Sequence, residues 1–131
     1  MERILKIIYF ILLEIMMFQK ESIFIDPPIW GKYFWAAIES IILAMDTTES
    51  QSVDSVYLFL LSLQNTLPCP TCRLHYQDYC YRFDLKEHIF DKKLMFEWIH
   101  NLQKEIQERN NKPMVDFDTY TNIIKTKFQL H

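Results

Sequence analysis

The sequence predicts an all-α fold, a bundle of helices with an extra apolar helix ahead of it. Three observations lead there. Apolar residues recur at helical spacing along most of the chain, and no alternating strand pattern runs longer than a few residues. A single glycine in 131 residues argues against a fold built on tight hairpins.

The elements follow in order. In MERILKIIYFILLEIMMF, Glu2, Arg3 and Lys6 precede an apolar run from Ile7 to Leu13, which Glu14 interrupts. No small-residue cleavage site follows, and the run is far short of the ~20 residues that a spanning helix needs. Residues 1–25 are therefore expected to form an apolar helical segment that packs on the domain or on a second subunit. Membrane association through residues 1–20 is the competing reading. Residues 26–131 form one domain, a length that supports one modest core. After Asp26-Pro27-Pro28 a helix is expected from about Trp30 to Met45, with Trp30, Tyr33, Phe34, Ala37, Ile38, Ile41 and Ile42 on one face. Cap-type residues in DTTESQS break it. The next helix runs from about Ser52 to Thr66 and is stopped by Pro68, while Pro70 suits the first turn of a helix to Arg82. A further helix is expected from about Lys86 to Arg109, with Leu94, Trp98, Leu102 and Ile106 spaced by four. The last runs from about Asp116 to Phe128, with acids early and lysines late, as the helix dipole favours.

Composition excludes several function classes. With Gly31 alone, neither GxGxxG nor GxxxxGK[ST] can be written, so Gly-rich phosphate loops are absent. A formal net charge of -3 with mixed signs gives no support for a nucleic-acid surface. Three cysteines do not make a disulfide-dense scaffold.

All three cysteines lie in LPCPTCRLHYQDYC, residues 67–80. Cys69 and Cys72 sit at the head of a helix, where i, i+3 spacing turns both sulfurs to one side. Free N–H groups there stabilise a thiolate and lower its pKa. The pair can be a redox dithiol, part of a metal site, or packing. Zinc would draw on Cys69, Cys72, His75 and Cys80, but a helix through His75 scatters these groups around its axis. A thioredoxin-like site needs strand–helix–strand units before the motif, and the chain offers helices. Taken singly, Trp30, Tyr33 and Trp98 read as core, Glu39 as a solvated acid, His75 as a surface or half-buried histidine, and Cys80 as a free thiol or an intermolecular bridge.

The flanks of the CxxC carry a resemblance from about Trp30 to Lys125. W-G-K-Y-F-W at Trp30–Trp35, L-P-C-P-T-C-R-L-H at Leu67–His75, F-E-W at Phe96–Trp98 and K-P at Lys112–Pro113 occur in that order. This set resembles the Erv/ALR-type FAD-linked sulfhydryl oxidases, above all the short single-domain forms of large DNA viruses. The resemblance implies a four-helix bundle with a short fifth helix, holding FAD at its mouth, and a redox-active Cys69–Cys72 disulfide. It implies oxidation of protein dithiols, a thioredoxin-like carrier among them, with electrons passed to oxygen to give hydrogen peroxide. Cys69 would be the more exposed sulfur that meets substrate. The implied cofactor-facing positions are Gly31, Lys32, Trp35, Glu39, His75, Gln103, Ile106, Gln107 and Lys112, with Lys32 and Lys112 toward the phosphates and no metal ligand. A homodimer through the first two bundle helices and a place in the host cytoplasm or the virion are also implied.

The chain departs from the family at two places. Glu39 stands where the family's first bundle helix carries His. The pattern W-x4-H-N-x-V-N, counted from Trp98 without a gap, meets Gln103, Lys104, Ile106 and Gln107; His100-Asn101 would fit only with an insertion before Lys112. These departures keep two alternatives open: a FAD-less dimeric binding or assembly subunit, and a small zinc-binding module.

Overall fold

The computed structural model describes residues 1–18 and 23–130. Residues 19–22 and 131, which belong to the expected segments 1–25 and 26–131, lie outside the described residues. Among the described residues six α-helices follow one another: α1 (Glu2–Met17), α2 (Pro27–Ala44), α3 (Ser50–Thr66), α4 (Pro70–Arg82), α5 (Lys92–Arg109) and α6 (Phe117–Lys127). No strand occurs among the described residues. The all-α expectation is met, with α2–α5 as the bundle and α6 as the short fifth helix.

Local chemistry sets most boundaries. Pro27 and Pro28 occupy the first turn of α2, where a missing N–H costs nothing, so the helix starts three residues earlier than its aromatic stripe predicts. The helix expected from Lys86 begins only at Lys92. Asp91 caps it by accepting from the Leu94 N–H at 3.0 Å, and the residues before it form a separate 3-10 turn, Leu85–Glu87, capped by Asp84. Leu85 and Ile89 are buried there, so that stretch plugs the bundle end. At the far end of α5, Asn111 is left-handed (φ 55°), the Asn111 N–H reaches the Glu108 carbonyl and the Lys112 N–H the Gln107 carbonyl. This Schellman turn closes the helix and aims Lys112-Pro113 back along it. Asp116 then caps α6 through the Thr119 N–H at 2.7 Å.

The core gathers Ile38 and Ile42 of α2, Val53, Leu60 and Leu63 of α3, Tyr76 and Tyr79 of α4, Met95, Trp98, Ile99 and Leu102 of α5, and Tyr120 and Ile124 of α6. Buried hydroxyls cross-link it: Tyr76 Oη donates to the Leu60 carbonyl at 2.6 Å and Tyr79 Oη to the Trp98 carbonyl at 2.7 Å. The stripe expected on α2 divides. Ile38 and Ile42 are buried, but Tyr33, Ala37 and Ile41 face out together with Ile29. No residue of α1 is buried. Among the described residues, no helix is long and apolar enough to cross a membrane.

Candidate functional site

Cys69 is not the first residue of α4 but its N-cap. Its Sγ accepts a hydrogen bond from the Cys72 N–H at 3.2 Å, so a sulfur does what a Ser or Asp oxygen usually does at a helix start. Pro70 follows at the first helical position. The loop before it is held by the Arg73 guanidinium, which donates to the Leu67 carbonyl.

Two sequence expectations about this pair are corrected. Cys69, expected to be the more exposed sulfur, is buried at 4% exposure, and Cys72 is half-buried. The thiolate expected to be favoured at Cys72 is disfavoured: burial pushes its thiol from 9.0 up to about 12. The Cys69 side chain adds to that rise, while a backbone hydrogen bond and the Arg109 guanidinium pull the other way. Desolvation outweighs the helix N-terminus because Cys72 looks into an apolar cavity rather than into water.

That cavity measures about 410 Å³ and lies between α2, α3, α4 and α5. Its wall carries Cys69, Cys72, Trp30, Phe34, Trp35, Trp98, Ile99, Leu102 and Ile106, with His75, Arg109 and Gly31 also lining it. A Cβ built at Gly31 would meet nothing within 4 Å, so the glycine leaves open space on this wall. A second hollow of about 530 Å³ is lined by Lys32, Glu39, Gln103, Gln107, Lys112, Tyr120 and Lys127. Trp35 lines both, so an aromatic chamber beside the sulfurs adjoins a polar one with three lysines.

The expected site residues thus divide between adjoining spaces. Gly31, Trp35, His75, Ile106 and both cysteines line the first, and Lys32, Trp35, Glu39, Gln103, Gln107 and Lys112 line the second. His75 is exposed at the rim. Of the ungapped register, Gln103, Ile106 and Gln107 face these spaces, whereas Lys104 is exposed and lines neither. His100 does not: it is buried, pairs its Nε2 with the Val115 carbonyl at 2.7 Å and packs on Phe117 and Tyr120. Trp98, read as core, is 1% exposed and walls the cavity as well.

Glu39, read as solvated, is 3% exposed. Its Oε2 accepts from Tyr120 Oη at 2.7 Å and its Oε1 from Lys127 Nζ at 2.9 Å, and Gln103 Nε2 donates to Tyr120 Oη at 3.3 Å. Burial pushes the Tyr120 hydroxyl far up, with the Glu39 bond and charge adding to it, so Tyr120 stays a donor. Tyr120, Lys127 and Arg109 escaped the sequence reading. The partners of Glu39 lie more than eighty positions away (|i−j| of 81 and 88), where no local spacing signals them.

Cys80 is a free, half-buried thiol whose pKa is raised by burial, with Tyr76 pulling the other way, and it packs against the core. Among the described residues no group of three or more His, Cys, Asp or Glu side chains is gathered as a metal site.

No family model and no solved structure matches the chain. Two curated viral proteins do. Over 92 residues, 70% of its length, the chain is 29% identical to a protein of Invertebrate iridescent virus 3 provisionally named a FAD-linked sulfhydryl oxidase. Over 95 residues, again 70% of its length, it is 23% identical to a protein of Acanthamoeba polyphaga mimivirus named a probable FAD-linked sulfhydryl oxidase. The chain is similar to viral FAD-linked sulfhydryl oxidases. The matched parts span 62% and 66% of those relatives' lengths, less than two thirds of each. The family resemblance read from the CxxC and its flanks is borne out.

Proposed function

We propose that this protein is a FAD-dependent thiol oxidase that forms disulfide bonds in substrate proteins and reduces oxygen to hydrogen peroxide, with residues 26–131 as the FAD-binding domain. One observation carries the reading. Cys69 and Cys72 open onto an aromatic cavity that adjoins a lysine-lined hollow, which is the division a flat ring joined to a diphosphate requires. The volume of the first chamber falls in the range of about 300–1,000 Å³ typical of ligand pockets, and the open space at Gly31 leaves room against the wall.

Bound there, FAD supplies the two-electron acceptor that the side chains lack. The chain's own residues bind, orient and handle sulfur. Trp30, Trp35 and Trp98 wall the chamber and keep water from it. Lys32 and Lys112 would meet the phosphates and Gln103 and Gln107 would offer amide donors and acceptors, while the Tyr120 and Lys127 bonds fix Glu39 beside them. A substrate thiolate attacks Sγ of Cys69 in the oxidised pair, the Cys69–Cys72 bond breaks, and Cys72 leaves as a thiolate. Arg109 and the backbone hydrogen bond favour that charge against the burial that opposes it. A second substrate thiolate resolves the mixed disulfide, releasing the oxidised substrate and leaving the pair with two more electrons. Dithiol proteins, including small thioredoxin-like carriers, are the proposed substrates. Exposed Ile29, Tyr33 and Ile41 on α2 and Leu58 and Phe59 on α3 support a homodimer through these helices. The exposed apolar faces of α1 support membrane association or contact with a second subunit.

The test is a spectrum and an assay. The purified protein carries flavin absorbance and oxidises a model dithiol with stoichiometric hydrogen peroxide. Cys69→Ser and Cys72→Ser each abolish turnover while keeping the flavin. A colourless, inactive protein from flavin-replete cells overturns the reading in favour of a binding subunit.

A further inference from the structure

We propose that residues 23–26 are a strap seated in the place where an extended segment of a substrate protein docks, and that the strap shields Cys69 until substrate displaces it. Ile25 lies against the loop that carries the cysteine. Its N–H donates to the Pro68 carbonyl, one residue before Cys69, at 2.9 Å. Its carbonyl accepts from Trp30 Nε1 at 2.8 Å. Phe24 lines the chamber that Cys69 and Cys72 open onto. Both backbone polar groups of one residue outside any helix are therefore satisfied by the site, as when a peptide segment adds to an exposed backbone edge. The substrate this fits is a cysteine-bearing extended segment with a bulky apolar residue near its thiol, able to pair with Pro68 and reach the chamber mouth.

The strap is built to be displaced. Ile23, Phe24 and Ile25 are 50%, 58% and 41% exposed, so little apolar burial holds them. α1, which precedes them, buries no residue that could anchor them. Among the described residues, what remains is the pair of hydrogen bonds at Ile25 and the Phe24 side chain at the chamber. The inference rests on the thiol-oxidase reading for the identity of the displacing segment, but the shielding itself is a property of the chain and is measurable without turnover or flavin.

The experiment follows alkylation of the fully reduced full-length protein with N-ethylmaleimide, resolved for each cysteine by peptide mass spectrometry. Ile25→Pro removes the N–H that reaches Pro68, and Trp30→Phe removes the donor to the Ile25 carbonyl. Each is expected to speed Cys69 modification about fivefold, the factor that one net hydrogen bond of ~1 kcal/mol sets on an opening equilibrium. Cys80, which packs against the core away from the strap, serves as the internal control and keeps its rate. Far-UV circular dichroism establishes that both variants stay folded. A Cys69 rate unchanged in both variants, or a Cys80 rate rising in parallel with it, overturns the strap. Loss of flavin absorbance or of turnover in the unmodified protein would instead count against the oxidase reading.

Discussion

Glu39 gives the most direct quantitative test of the site's architecture. It is 3% exposed and ties α2 to α6 through Tyr120 and Lys127. In Glu39→Ala the Tyr120 hydroxyl, itself 3% exposed, loses its acceptor, and Gln103, whose Nε2 donates to it, replaces that acceptor only by turning its Oε1 toward the hydroxyl. A hydrogen bond to a charged group contributes about 1.5–3 kcal/mol. Lys127, with its side chain 39% exposed, adds at most about 1 kcal/mol because solvent screens it. The expected loss is about 2–4 kcal/mol, a fall in the urea midpoint of about 1–2 M at a slope typical for this size. Glu39→Gln keeps an acceptor and loses about 1 kcal/mol. The assay is equilibrium urea unfolding followed by circular dichroism, with flavin content matched across variants. The decisive quantity is the double-mutant cycle of Glu39→Ala with Tyr120→Phe, expected to show a coupling of about 1–2 kcal/mol. A coupling within about 0.3 kcal/mol of zero would refute the claim that this bond joins α6 to the bundle.

Four more outcomes test the chamber. Gly31→Ala removes a flexible residue from the interior of α2 and meets open space, so stability rises by about 0.5–1 kcal/mol; Gly31→Leu folds too but fills the chamber, and its flavin-to-protein absorbance ratio falls well below that of the unmodified protein. For Cys72, the folded value lies above the ordinary 9.0, so folding favours the protonated thiol: that contribution to stability is present below 9.0 and is lost as the pH climbs toward about 12. Alkylation of Cys72 in the reduced protein should accordingly accelerate through that window, and Arg109→Gln should move the rise to higher pH, since the guanidinium favours the thiolate. A shift to lower pH would contradict the placement of Arg109.

Helix identity was legible because it depends on neighbours in sequence. Helical spacing and the prolines at 27, 28, 68 and 70 placed α2, α3 and α4 within a few residues. The extra turn before α5 was missed because Lys86–Phe90 looks like a continuation of its helix; only the burial of Leu85 and Ile89 against the bundle makes the separate turn worthwhile. The pKa of Cys72 was misread for a related reason. A helix N-terminus is visible in a sequence, but the apolar wall that outweighs it is assembled from four helices. The same holds for Glu39, which looks like a surface acid until α6 brings Tyr120 and Lys127 to it.

The sequence by itself determined the helical class, the dithiol at the head of α4 and the order of motifs that relates the chain to viral FAD-linked sulfhydryl oxidases. These are local properties, written in periodicity, caps and spacing within one or two turns. Only the tertiary structure decided which sulfur is shielded, that the aromatic and lysine-lined spaces adjoin at Trp35, and that a buried carboxylate lines one of them. Those depend on desolvation and on contacts across dozens of residues, which exist only once the helices have packed.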